Sequence, residues 1–414
     1  LPQTYLFQRT PELAGLRVQV ESRGRELFFE TTGPGAETFG PVVQAFFSFL
    51  NQIGPLTTLE GESVYSLYYP PIPSPAHARL LEAFIRTLFL QRPTPMAVTV
   101  AVTDQCQCRC RHCSAPKPDP SRKIMTGEEI GRVIQESQAL GVSNITFTGG
   151  EPLLRDDLER FISSVDREKA MAQVFTNGLD LTARRARSLK EAGASAVQIS
   201  LDSPVPEEHE RLRGRPGLFE KVRQAVGHAR EAGLLVGLST YAGRDSAGRA
   251  RLSRLAALAA EWGAVELSVF DLIPTGRLLE SESLALDGPS RARLLRESER
   301  LNLKYQGRLR VITQTWTNSG VGYAAFIGCL AACHQFHVGA YGDLTPCDFT
   351  PLSLGNIRQA SLSALWERLT THPQYCRRQA GCRMQDPAFR ARYIRPLSGE
   401  TRLPWPIQDL DQEG

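Results

Sequence analysis

The strongest constraint on this chain's fold is a repeat of short apolar, β-branched runs between residue 96 and about 275. The runs are MAVTVAVT, NITFTG, AQVFTN, AVQISL, LLVGLST and VELSVF. Between most of them lie amphipathic stretches such as GEEIGRVIQESQALG, TARRARSLKEAG and FEKVRQAVGHAREAG. The runs read as strands and the stretches as helices. Several stretches end in Gly, the usual residue where a helix closes. Six successive strand–helix units predict a parallel sheet with helices outside it. Chemistry in such a fold sits at the C-terminal ends of the strands.

Residues 1–92 form a separate N-terminal α+β region in this reading. RVQVESRGRELFFETTG is a hairpin about Arg23-Gly24, and AETFGPVVQAFFSFLNQIG and HARLLEAFIRTLFLQ are amphipathic helices. Residues 93–275 make the repeating α/β unit. Residues 276–325 are a connector, with helix SRARLLRESERLN and strand-like RLRVITQTW. Residues 326–414 are a small Cys-bearing region whose tail, LSGETRLPWPIQDLDQEG, is expected to be loose.

A net charge of +4 is too mild to argue for nucleic acid or an anionic membrane. No apolar run reaches membrane-helix length. The opening LPQTYLFQRTPELAG lacks a signal-peptide pattern. The nine cysteines are clustered, four within Cys106–Cys113 and five within Cys329–Cys382. An odd, clustered set favours metal-binding thiolates in a cytoplasm over a disulfide framework.

Cys106, Cys110 and Cys113 have C-x3-C-x2-C spacing directly after the first strand. A loop this short can bend three thiolates around one cubane cluster. Three ligands leave one iron open to chelation by a small molecule. Cys108 or His112 could instead complete a four-ligand zinc set. Thr148-Gly149-Gly150-Glu151-Pro152 follows the second strand. Its glycines let the backbone approach a ligand, and Glu151 can accept a hydrogen bond from an ammonium group.

The cysteine spacing, its place after strand 1 and the GGEP turn resemble the radical S-adenosylmethionine superfamily. The resemblance implies an α/β partial (β/α)6 TIM-like barrel. It also implies a 4Fe-4S cluster on Cys106, Cys110 and Cys113, and S-adenosyl-L-methionine chelated to the open iron. Reduction of that complex yields a 5′-deoxyadenosyl radical, which abstracts hydrogen from a substrate. The likeness further implies that His112 lies against the adenine and that Gly149, Gly150 and Glu151 hold the methionine amino group. Ser200 and Arg213 would lie near its carboxylate and ribose. Asn177, Thr176 and Thr240 either contact the ligand or cap the next helix.

The second group, Cys329-x3-Cys333-x13-Cys347 and Cys376-x5-Cys382, resembles the SPASM and Twitch auxiliary-cluster domains. Pro373 and Asp386 stand where further cysteines are expected, which leaves one auxiliary cluster. Its expected ligands are Cys329, Cys333 and Cys347 with Cys376 or Cys382; the alternatives are buried structural thiols or zinc. Asp348 is either a proton acceptor during substrate oxidation or a turn-capping residue. His334 and His337 flank Cys333 and read as packing residues or as supports behind the ligands, rather than as ligands. The expected activity is oxidative modification of a peptide or small molecule, with a tetrapyrrole or lipid precursor or a bare electron carrier as alternatives. The electron would come from a low-potential donor such as flavodoxin or ferredoxin.

Overall fold

This computed structural model describes residues 2–7, 9–314, 328–397 and 402–412. The end of the connector and the first residues of the Cys-bearing region therefore lie outside the described residues.

The N-terminal hairpin forms as read. Strands β1 (Gln3–Leu6), β2 (Arg17–Arg23) and β3 (Glu26–Thr32) make an antiparallel sheet in that order. Val18 and Val20 point inward with the period of two that a half-buried strand requires. They meet helix α1 (Ala36–Ile53), which buries Phe39, Val43, Phe47 and Leu50 along one stripe. A small hairpin, β4 (Thr57–Leu59) and β5 (Glu62–Val64), leads to α2 (Pro75–Leu88). The Ser74 hydroxyl caps α2 by accepting the His77 N–H at 3.1 Å.

The six expected parallel strands are β6 (Ala97–Ala101), β7 (Asn144–Thr148), β8 (Met171–Thr176), β9 (Ala196–Ser200), β10 (Leu235–Ala242) and β11 (Glu266–Asp271). Three strands extend them. The connector contributes β12 (Arg310–Thr313), parallel to β11. At the other edge β13 (Gln335–Val338), from the Cys-bearing region, pairs in parallel with β6, and β14 (Leu344–Thr345) pairs antiparallel with β13. The nine-stranded order is β12-β11-β10-β9-β8-β7-β6-β13-β14. An open barrel leaves unpaired N–H and C=O groups along β6, and β13 satisfies them.

The crossovers are α3 (Gly127–Leu140), α4 (Leu158–Ser163), α5 (Ala183–Ala192), α6 (Pro206–Arg213), α7 (Leu218–Glu231) and α8 (Arg249–Trp262), followed by α9 (Gly288–Lys304). Thr126 and Glu129 form a reciprocal capping box that starts α3. The main core lies between these helices and the sheet.

The N-terminal region closes the lower end of the barrel. The Ser66 hydroxyl and the Leu67 N–H both donate to Glu266 Oε2, at 2.9 and 3.2 Å, and Tyr68 OH donates to Ser268 at 3.2 Å.

The tail is not loose over its described part. Trp405–Pro406 pairs with Leu352–Ser353, and Ile407 and Leu410 are buried. The sequence hides this because its anchors are long-range, among them Asp411, which pairs with His372 and accepts from Tyr393 OH, each at 2.9 Å. Helix α10 (Leu362–Thr371) packs against α3.

Candidate active site

The Cys106–Cys113 loop leaves the C-terminal end of β6, and backbone contacts brace it. Gly150 N donates to Thr103 O and Glu151 N to Gln105 O, both at 2.8 Å. A Cβ on Gly149 would collide with Thr103 O, and one on Gly150 with Gln105 O. The two glycines thus admit the cysteine loop itself, and both also line the cavity. Their φ of +146° at Gly149 adds a second reason for glycine.

Glu151 follows them in the same turn. It is buried, and Oε1 accepts from Thr176 Oγ1 at 2.8 Å and Leu153 N at 3.1 Å. Its Oε2 accepts from Asn177 N at 2.8 Å. Burial pushes its carboxyl up to about 7, and those three donors only partly oppose it. The side chain fastens β7 to β8 and lines the cavity. Asn177 reaches back to the loop, its amide donating to Gln107 Oε1 at 3.3 Å.

Arg213 is brought to the loop, but its guanidinium is occupied. Nε and Nη2 grip Asp202 in a bidentate pair, and Nη1 lies 3.8 Å from Cys110 Sγ. Burial would raise the Asp202 carboxyl; Arg213 and His112 overcome it and hold the group at about 2. His112 Nε2 is 3.5 Å from Asp202, and its ring lies 3.6 Å from that of Tyr241. Burial holds His112 at about 3, so the ring is neutral. Thr240 Oγ1 accepts from Arg251 at 3.1 Å. Ser200 and Thr240 line the same cavity as His112 and Arg213.

Asp202, Tyr241 and Arg277 escaped the sequence reading. Arg277 N donates to Cys113 O at 3.0 Å and Nη1 to Cys110 O at 3.1 Å. A Gly–Arg pair after the last expected strand was its only signal.

The cavity is about 2100 Å³ and runs from the cysteine loop past Phe175 and Phe270 to Asp348 and His337. His337 Nδ1 stands 2.8 Å from Asp348 Oδ1, although the pair is not aligned as a hydrogen bond. Thr99 Oγ1 donates to Asp348 Oδ2 at 3.3 Å. His337 therefore flanks Asp348.

Cys329, Cys333 and Cys347 are buried together. Burial raises Cys347 to about 12, with Cys329 the next cause. Burial also drives the Cys382 thiol far up, with Cys329 and Cys347 adding to it. Cys376 is exposed, its thiol 3.6 Å from Pro373 O and apart from this set.

The donor sets fit iron–sulfur clusters. Both are thiol-rich, the chemistry such clusters use. Among the described residues no three His, Cys, Asp or Glu side chains close around a single ion.

Comparison with known proteins agrees. A family model for the Radical SAM superfamily matches residues 100–245, and one for an iron-sulfur cluster-binding domain, SPASM, matches 329–387. The chain is 28% identical to the AdoMet-dependent heme synthase of Methanosarcina barkeri over 59% of its length and 73% of that protein's. Its fold is similar to Streptococcus suis SuiB bound to precursor peptide SuiA, with a TM-score of 0.58 at 16% identity, over 87% of this chain and 86% of that one. Native anSMEcpe with bound AdoMet and Cp18Cys peptide gives 0.54 at 17% identity, over 77% and 95%. Loop, barrel and cysteine-bearing region together make this chain a radical SAM enzyme with a SPASM iron–sulfur domain.

Proposed function

We propose that the enzyme oxidatively modifies a peptide held in the cavity between the barrel and the Cys-bearing region. The observation that carries this reading is the cavity itself. At about 2100 Å³ it exceeds what one small ligand and a cofactor fill, since small-molecule pockets run to roughly 1,000 Å³. The likeness to SuiB and anSMEcpe, both solved with peptides, supports it.

With a reduced cluster on Cys106, Cys110 and Cys113, bound S-adenosylmethionine supplies a hydrogen-abstracting adenosyl radical. The chain does the rest. His112 and Tyr241 offer ring faces beside the loop, and Ser200 and Asn177 offer polar groups. Phe175, Phe270 and Phe349 form an aromatic wall, with neighbouring centroids 6.3 and 6.4 Å apart, that excludes water from the path to Asp348. A substrate that has lost a hydrogen atom must still lose a proton and an electron. Asp348, held by Thr99 and His337, takes the proton. Cys329, Cys333 and Cys347, with half-buried Cys382, would hold the cluster that accepts the electron.

A second reading, oxidation of a tetrapyrrole precursor, is favoured by the identity to the heme synthase. Mass spectrometry separates the two. Reduced, reconstituted enzyme with S-adenosylmethionine is offered any short peptide encoded beside its gene and, separately, a tetrapyrrole precursor. Loss of a hydrogen pair from the peptide supports the proposal. Turnover of the tetrapyrrole alone overturns it.

A further inference from the structure

We infer that Tyr68, carried into the barrel by the N-terminal region, and Ser239 of β10 form a subsite in the cavity floor that binds an uncharged amide group of the substrate. Both residues line the cavity. Leu238 and Leu267 pack into the core outside the sheet, so their neighbours Ser239 and Ser268 face inward by strand alternation. The two serines are in-register partners on adjacent strands, about 5 Å apart. The Tyr68 hydroxyl donates to Ser268 Oγ at 3.2 Å and so reaches the same stretch of wall as Ser239.

The backbone and ring of Tyr68 are held in place. Asn144 Nδ2 donates to its carbonyl oxygen at 2.8 Å, its N–H donates to Ser66 Oγ at 3.2 Å, and its ring lies 6.3 Å from that of Phe175. Its hydroxyl oxygen keeps accepting capacity. Among the described residues nothing donates to that oxygen, and the Ser239 hydroxyl makes no hydrogen bond. Ser268 has no such freedom. It accepts from Gln198 Nε2 at 3.4 Å as well as from Tyr68, and it donates to Glu266 Oε1 at 3.4 Å.

These free groups decide the class of ligand. With its proton given to Ser268, the Tyr68 oxygen accepts, while the Ser239 hydroxyl can donate. An amide offers the matching N–H and C=O. The charges beneath the floor are already spent. Glu266 takes the Ser66, Leu67 and Gln198 donors. Arg310 donates to the carbonyls of Tyr65, Ile53 and Gly54 at 2.6, 2.8 and 2.7 Å. A charged substrate group would lose water there without gaining a counter-charge. Burial, then Glu266, pushes the Tyr68 phenol up, so the hydroxyl stays neutral. Tyr68 also lies outside both stretches that the family models match, which makes this contact a contribution of the N-terminal region. The inference rests on the peptide reading, since a peptide supplies amides along its whole length.

The test uses anaerobic holoenzyme, and the probe is the short peptide encoded beside its gene. Y68F keeps the ring and removes the hydroxyl. It is expected to raise KM about tenfold, the weight of one lost hydrogen bond, and to lower kcat less. A loosely held peptide should also raise the amount of 5′-deoxyadenosine released per modified peptide. S239A breaks no internal hydrogen bond and should raise KM likewise. S268A is the control, because it removes the internal partner of Tyr68 and leaves the phenol in the cavity; it should raise KM less. Unchanged KM in Y68F and S239A overturns the inference and leaves the peptide reading standing. So does an equal rise in Y68F and S268A, since the hydroxyl would then serve the Ser268 contact alone. Wild-type enzyme that turns over the tetrapyrrole precursor and no peptide overturns the peptide reading, and the amide subsite with it.

Discussion

The two cysteine regions differ in depth and in electrical surroundings. Cys106 is exposed and Cys113 half-buried, and their loop opens on the cavity. Charged groups brace it: Arg213 with Asp202 on one side, Arg277 on the other. Cys329, Cys333 and Cys347 are buried, with Tyr375 and Met384 also buried in the same region, and burial raises the Cys333 and Cys347 thiols. A centre that must admit a charged ligand stays open and keeps compensating charge nearby. A centre that only passes electrons can be shut behind apolar walls, where burial and few charges set its behaviour.

Removing the open set should have the largest effect. C106A/C110A/C113A is expected to reduce 5′-deoxyadenosine to the uncatalysed background in a dithionite assay while the buried set keeps its iron. The second way to break the comparison is within the buried set. C382A should lose the auxiliary cluster's absorbance and electron-spin signal, whereas C376A should keep both, because Cys376 stands apart at the surface.

Stability separates the regions next. D202N leaves the buried Arg213 without a counter-charge, and breaking such a pair costs about 3–5 kcal/mol. Urea unfolding of the apo-protein measures it. The smallest effect concerns how the Cys-bearing region is tied to the barrel. Arg358, from that region, holds Glu129 of α3 at about 2, below its ordinary 4.5. A depressed carboxyl stabilises the fold above its unfolded value. The gain should therefore be present above about pH 4.5 and fade as pH falls toward 2. E129Q should cost about 1 kcal/mol or less at neutral pH and abolish that pH dependence in thermal melts.

Much of this was legible in the sequence. Six strands and their crossovers announce themselves because each strand is buried on both faces and each helix carries a 3.6-residue stripe. The open cysteine set was legible because its three ligands lie within one loop. What stayed hidden depends on long-range pairing. Nothing local marks β13 as the partner of β6, or His337 as the neighbour of Asp348, since that contact exists only once β13 joins the sheet. The glycines of GGEP were found, but their partner, the Thr103–Gln105 backbone, is adjacent in space only. Arg213 was singled out as a ligand-side residue, whereas its commitment to Asp202 required knowing how α6 folds back onto β9.

Iron and acid-labile sulfide per chain after anaerobic reconstitution test the contrast most directly. Two occupied sets, one open and one buried, require about eight irons and eight sulfides per chain. A value of about four would contradict the account, leaving the buried cysteines as structural thiols and the oxidising electron without its acceptor.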